Sequence, residues 1–103
     1  MNWFKGKIYC TNCGKKYNFK NDHNQHIYIC SGSKNYGIAF CNSKTIKEKE
    51  ILDIIRRHCL IHKKSYENVY NLIEKINISL EGNIEVIYLD GKKSLVNESV
   101  IIY

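Results

Sequence analysis

Cys10 and Cys13 stand two residues apart, Cys30 and Cys41 follow at wider spacing, and this set is the strongest chemical signal in the chain. The two-residue gap lets both thiols face one ion from a single tight turn. Gly14 supplies the positive-φ freedom that such a knuckle often requires. Four soft thiolates suit one tetrahedral Zn2+ ion in a structural role, framed by a small β-ribbon. They leave no open coordination position, which argues against metal catalysis. Other readings compete. Disulfides need an oxidising compartment, and the opening residues from Met1 to Lys7 lack the apolar stretch of a secretory signal. A thioredoxin-like redox pair needs a βαβ setting, whereas this Cys-x-x-Cys sits between strands. His23 and His26, just before Cys30, are alternative donors. Cys59 reads as a packed thiol. His58 and His62, one helical turn apart with no third partner in evidence, read as surface or packing residues.

The elements that must position these cysteines are short. Lys7-Ile8-Tyr9-Cys10 predicts a strand leading into a turn at Thr11-Asn12-Cys13-Gly14, with Lys16 to Phe19 as the return strand. Asn21 to Gln25 is expected as a polar loop, His26 to Cys30 as a third strand, and the Ser/Gly/Asn-rich stretch up to Phe40-Cys41 as a loose loop. These pieces bury too little apolar surface to hold together unaided, so the metal must staple them. Thr45-Ile46-Lys47-Glu48 fits a capping box, and a helix follows with Ile51, Ile55 and Cys59 along one face. A second, shorter helix is expected from Tyr66 to about Glu74. From Lys75 the period becomes two: Ile76 to Leu80 and Ile84 to Tyr88 flank Glu81-Gly82-Asn83 as a hairpin. Asp90-Gly91 marks another turn, and Ser99 to Tyr103 adds a last strand. The fold class is therefore a small α+β domain: a zinc β-ribbon over residues 1–44, then one or two helices and a β-hairpin over 45–103 completing the same domain.

The length of 103 residues leaves no room for two independent cores. With 44% hydrophobic and 25% charged residues the chain is globular rather than disordered. No apolar run reaches the ~18 residues needed to span a bilayer. The formal charge of +6 favours polyanionic partners. However, Ile, Lys, Asn and Tyr supply 50 of the 103 residues, and all four have AT-rich codons, so the lysine excess alone is weak evidence for DNA. Placement says more. Residues 1–36 hold six lysines and one acid, whereas residues 37–103 hold ten bases and nine acids.

Phe4-x-Gly6-Lys7-Ile8-x-Cys10-x-x-Cys13-Gly14-Lys15-Lys16-Tyr17, then Tyr28-Ile29-Cys30, then Cys41 ahead of a capped helix, resembles the zinc-ribbon domain of large serine recombinases, the integrases and transposases of phages and mobile elements. The returning strands from Ile76 to Tyr88 are similar to the segment that re-enters that domain after its coiled coil. The family's catalytic domain with its nucleophilic serine, and the recombinase domain after it, have no counterpart here. The connection between Leu60 and Ile76 is also too short for the coiled coil. The resemblance thus implies a non-catalytic, DNA-reading part of such an enzyme, acting in site-specific recombination, not an enzyme by itself.

In that family the zinc domain binds the outer attachment site through the major groove, which implies double-stranded DNA as the partner. Lys5, Lys7, Lys15, Lys16 and Lys20 are the expected phosphate contacts. Asn12, Asn18 and Asn21 are the expected base readers, because a carboxamide pairs bidentately with adenine. Arg56 and Arg57 add phosphate or guanine contacts. The rival expectation is a protein-docking module that regulates a recombinase, using an isoleucine-rich hairpin with an unpaired edge. Neither reading involves a membrane or a small-molecule substrate, and both imply a cytoplasmic, bacterial or phage-encoded protein.

Overall fold

The computed structural model describes Phe4 and residues 6–65 and 69–103, the side chains of Val69 and Tyr70 excepted. Two sheets share one core. The smaller is built from β2 (Tyr17–Asp22), β3 (Gln25–Cys30) and β4 (Ile46–Lys47) in that order. The larger runs β1 (Ile8–Cys10), β5 (Ile73–Ile78), β6 (Ile84–Tyr88), β7 (Lys93–Val96), β8 (Ile101–Ile102). A short helix α1 (Ser31–Tyr36) follows β3, and the main helix α2 (Glu48–Ile61) follows β4. The expected α+β class and its zinc-ribbon cysteine cluster are both present.

Local chemistry sets the ribbon. Tyr17 and Phe19 turn inward on β2 while Asn18 and Lys20 face solvent, the period-two pattern of a half-buried strand. The polar loop expected over Asn21 to Gln25 contracts to a two-residue turn at His23 and Asn24. Both have positive φ (48° and 65°), which matches the twist of a tight hairpin. The loose loop expected before Cys41 contains α1, a helix that Gly, Ser and Asn would not form by propensity alone.

The helix cap moves as well. Tyr28 pairs with Ile46 and Ile27 with Lys47, so β3 recruits the two residues that would have opened the helix. The helix therefore starts at Glu48, and the Lys47 backbone N–H donates to the Glu50 carboxylate at 3.3 Å in place of the expected Thr45–Glu48 box. Ile51, Ile55 and Cys59 are buried as expected, joined by Ile54 and His58, whereas Leu60 is exposed.

The expected C-terminal hairpin is present, and its register sets Ile76 opposite Val86 and Ile78 opposite Ile84. Of the second expected helix, Tyr66 to Asn68 lie outside the described residues. The rest is a 3₁₀ turn at Val69–Leu72, and β5 already begins at Ile73. A strand not anticipated, β7, follows the Asp90-Gly91 turn. The largest departure is β1. It meets the residue just before β2 through one bridge, Tyr9 to Lys16, and otherwise pairs in parallel with β5, Ile8 beside Ile76. The hairpin edge expected to be unpaired is thus covered by β1, and the exposed strand at the far side is β8. Phe4, Ile8, Tyr28, Ile51, Ile55 and Ile76 belong to one buried cluster spanning both sheets and α2. Among the described residues no helix is long and apolar enough to cross a membrane.

Candidate metal centre

The four cysteines arrive from four places. Cys10 ends β1, Cys13 lies in the turn after it, Cys30 ends β3, and Cys41 follows the loop after α1. Their sulfurs all lie within 4.8 Å of one another. Cys10 to Cys41 is 3.7 Å, Cys13 to Cys30 is 3.4 Å and Cys30 to Cys41 is 3.9 Å. Zinc–sulfur bonds of about 2.3 Å at the tetrahedral angle require sulfurs about 3.8 Å apart, so the donor set fits one zinc ion in both chemistry and size.

The surroundings are built for thiolates. Ser43 Oγ lies 2.9 Å from Cys10 Sγ and 3.1 Å from Cys41 Sγ, and the Asn12 carboxamide donates to Cys41 Sγ at 3.3 Å. Backbone N–H groups of Lys15, of Gly32 and Ser33, and of Ser43 serve Cys13, Cys30 and Cys41 respectively. The Ser43 hydroxyl above all draws the Cys41 thiol down to about 6, with Asn12 helping. Burial pushes Cys30 up to about 12 and raises Cys13 as well. Cys41 is therefore easily held as a thiolate, whereas Cys13 and Cys30 resist ionising beside it until a dication is bound. Burial and the charge of Cys10 and Cys30 likewise raise the Tyr17 phenol, which donates to the Lys44 carbonyl at 3.0 Å.

Gly32 closes the site from one side. A β-carbon there would stand 2.9 Å from Phe40 Cε2 and 3.0 Å from Cys13 Sγ. Neither Gly32 nor Ser43 stood out from the sequence; the only hint is that each follows a metal-site cysteine by two residues.

The remaining candidates are dispersed. His23 is exposed beside Asp22, and His26 lies 3.3 Å from the buried Glu48 carboxylate, so neither histidine belongs to the sulfur cluster. Cys59 is a buried core thiol. His58 is buried and stacked on Tyr88 at 3.8 Å, whereas His62 is exposed.

Of the cationic candidates, Lys5 lies outside the described residues. Lys7 donates to the Ile73 carbonyl. Lys15 stands over the Tyr36 ring and Lys16 over Tyr9, at 5.4 and 5.5 Å from the centroids. Asn18, Lys20 and Asn21 are exposed along β2. Arg56 and Arg57 share Asp53, at 2.8 and 2.9 Å, on the solvent side of α2. Lys16 and Asn18 line an open groove together with Lys34, Phe19 and Tyr28.

Comparison with curated proteins and with solved structures returned no match. A family model described as the recombinase zinc beta ribbon domain matches residues 3–60, more than half of the chain.

Proposed function

Because this chain belongs to the recombinase zinc beta ribbon domain family, and is thus a recombinase-associated zinc-binding domain, we propose that it grips duplex DNA during site-specific recombination, with zinc as a structural ion. The observation that carries this reading is the groove on the ribbon. Lys16, Lys34 and Asn18 all line it, no acidic residue does, and among the described residues neither lysine has a carboxylate partner. Two such ammonium groups can hold phosphates, and a carboxamide on the same groove can read a base edge. Arg56 and Arg57 contribute less in this account, since Asp53 already offsets part of their charge.

The test is an amide-resolved NMR titration of the zinc-loaded protein with a short DNA duplex. Shifts concentrated at Lys16, Asn18 and Lys34 are expected; shifts confined to other faces, or none, would contradict the groove. A second reading, docking on a recombinase protein, is favoured by β8. Ile101 and Ile102 are 59% and 53% exposed there at the end of the larger sheet, an edge open to an added strand. The same spectra with an added recombinase would then move β8.

A further inference from the structure

Tyr36, Ile38 and Phe40 are 62%, 73% and 50% exposed, an apolar cluster on the segment between two metal-site cysteines. Solvent-exposed apolar groups gathered this way on a small domain mark a contact surface more often than chance. The segment is held firmly. Gly37 N–H donates to the Ser33 carbonyl at 2.9 Å, and the Phe40 and Cys41 N–H groups both donate to the Gly37 carbonyl, at 3.1 and 3.3 Å. Gly37 has φ +87°, a turn that favours glycine. The Tyr36 and Phe40 rings lie 5.1 Å apart, and the Phe40 ring reaches back over Gly32 beside Cys13. Zinc at Cys30 and Cys41 would thus fix both ends of the tip.

Charge around the tip selects its partner. Lys15 Nζ stands 5.4 Å from the Tyr36 ring centroid, and Lys34, in the same helix as Tyr36, lines the groove with Lys16. Residues 1–36 hold six lysines and one acid, Asp22. An exposed apolar tip with an ammonium group over one of its rings matches a polyanion that also offers flat apolar faces, which is the chemistry of nucleobases and sugars along a phosphate chain. We infer that Tyr36 and Ile38 form an apolar contact to DNA bases and sugars, seated while Lys15 and Lys34 hold the flanking phosphates. This rests on the DNA-binding reading above and adds to it a contact that salt does not screen.

The base faces could come from a groove of intact duplex or from a single strand, so both are titrated. Fluorescence anisotropy with a labelled duplex and with one of its strands, from 50 to 200 mM salt, is run on wild type, Tyr36→Ala, Ile38→Ala, Lys15→Ala and Lys34→Ala, each checked for zinc content. Tyr36→Ala and Ile38→Ala should each weaken binding about fivefold or more with the salt slope unchanged, because stacking and apolar contacts release no counterions. Lys15→Ala and Lys34→Ala should instead lower the slope by about one. Loss on the duplex alone or on the strand alone would each support the contact and identify its form.

Zinc-replete Tyr36→Ala and Ile38→Ala binding within twofold of wild type would overturn the contact and leave the tip to a protein partner. So would a Tyr36→Ala effect that is wholly a lost salt slope, since the ring would then only position Lys15. Wild type failing to bind DNA at all would overturn the DNA reading itself, and the contact with it.

Discussion

Cys10, the first sulfur of the metal centre, pairs in parallel register with Ile78, in the far half of the chain. Thr11 N–H donates to the Ile78 carbonyl at 2.9 Å, and Ile76 N–H to the Lys7 carbonyl at 2.8 Å. Strand β1 is therefore shared: its end carries a metal ligand and its length completes the C-terminal sheet. Zinc binding and the folding of that sheet should be coupled.

The first prediction concerns this coupling. Chelating the zinc should speed hydrogen exchange of the Ile76 amide at least about tenfold, although that residue lies far in sequence from every cysteine of the site. Exchange at Ile76 that ignores the metal would mean that the sheet folds without the ribbon.

The loaded metal site should depend on two residues that donate no bond to the ion. Ser43→Ala removes the hydroxyl shared by Cys10 and Cys41, and should weaken zinc about 10- to 100-fold in competition with a chromophoric chelator. Gly32→Ala drives a methyl group into Phe40 and Cys13, and should destabilise the loaded protein by about 1–3 kcal/mol. Unchanged affinity in the first variant, or unchanged stability in the second, would show that the ion tolerates a looser frame than the geometry implies.

Glu48 is a buried carboxylate at the start of α2, held by the Tyr28 hydroxyl at 2.9 Å and His26 Nδ1 at 3.3 Å. Tyr28→Phe keeps the ring that packs near Phe4 and Phe19 but takes away one donor. It should cost about 1–3 kcal/mol in denaturant unfolding, the range for leaving a buried polar group short of a partner. A loss below about 0.5 kcal/mol would mean that water reaches Glu48.

His58 should make stability depend on pH. Burial holds its imidazole below the ordinary 6.5, and the neighbouring His62, Lys64 and Lys92 push the same way against the hydrogen bond from Nδ1–H to the Tyr103 carbonyl. Nε2 is buried with no partner, so a second proton has no acceptor. The unfolded chain thus protonates first. His58 supports stability fully above about pH 6.5, and that support is lost as the pH falls toward the lower folded value. His58→Phe keeps a ring against Tyr88 without the proton. Between pH 7 and pH 5 the wild type should lose stability relative to this variant in matched unfolding curves; parallel curves would contradict the assignment.

The sequence was informative where the interactions are local. The Cys10-x-x-Cys13 knuckle, the Ile51/Ile55/Cys59 face and the Ile76–Tyr88 hairpin depend on neighbours close in sequence, and each is present. What it hid is non-local. Nothing near Ile8 signals a parallel partner at Ile76, and nothing near Ile46 signals that β3 will claim it and shift the helix start to Glu48. Helix α1 was illegible for another reason: Ser31, Gly32 and Ser33 are poor helix formers, and their amides are held by groups outside it, Gly32 and Ser33 by the Cys30 sulfur and Ser31 by the Lys16 carbonyl. Asn12 shows a limit of chemistry rather than distance. A carboxamide suited to an adenine edge is equally suited to a thiolate, and its amide donates to Cys41.

The most direct test of the central claim is anisotropy of a labelled duplex against the zinc-loaded protein, across salt concentrations, with a chelator-treated sample beside it. The account predicts binding at micromolar concentration or tighter at low salt, weakening steeply as salt rises and disappearing when zinc is removed. Absence of binding at low salt, or binding that survives loss of zinc unchanged, would contradict a DNA grip organised by the four-cysteine site.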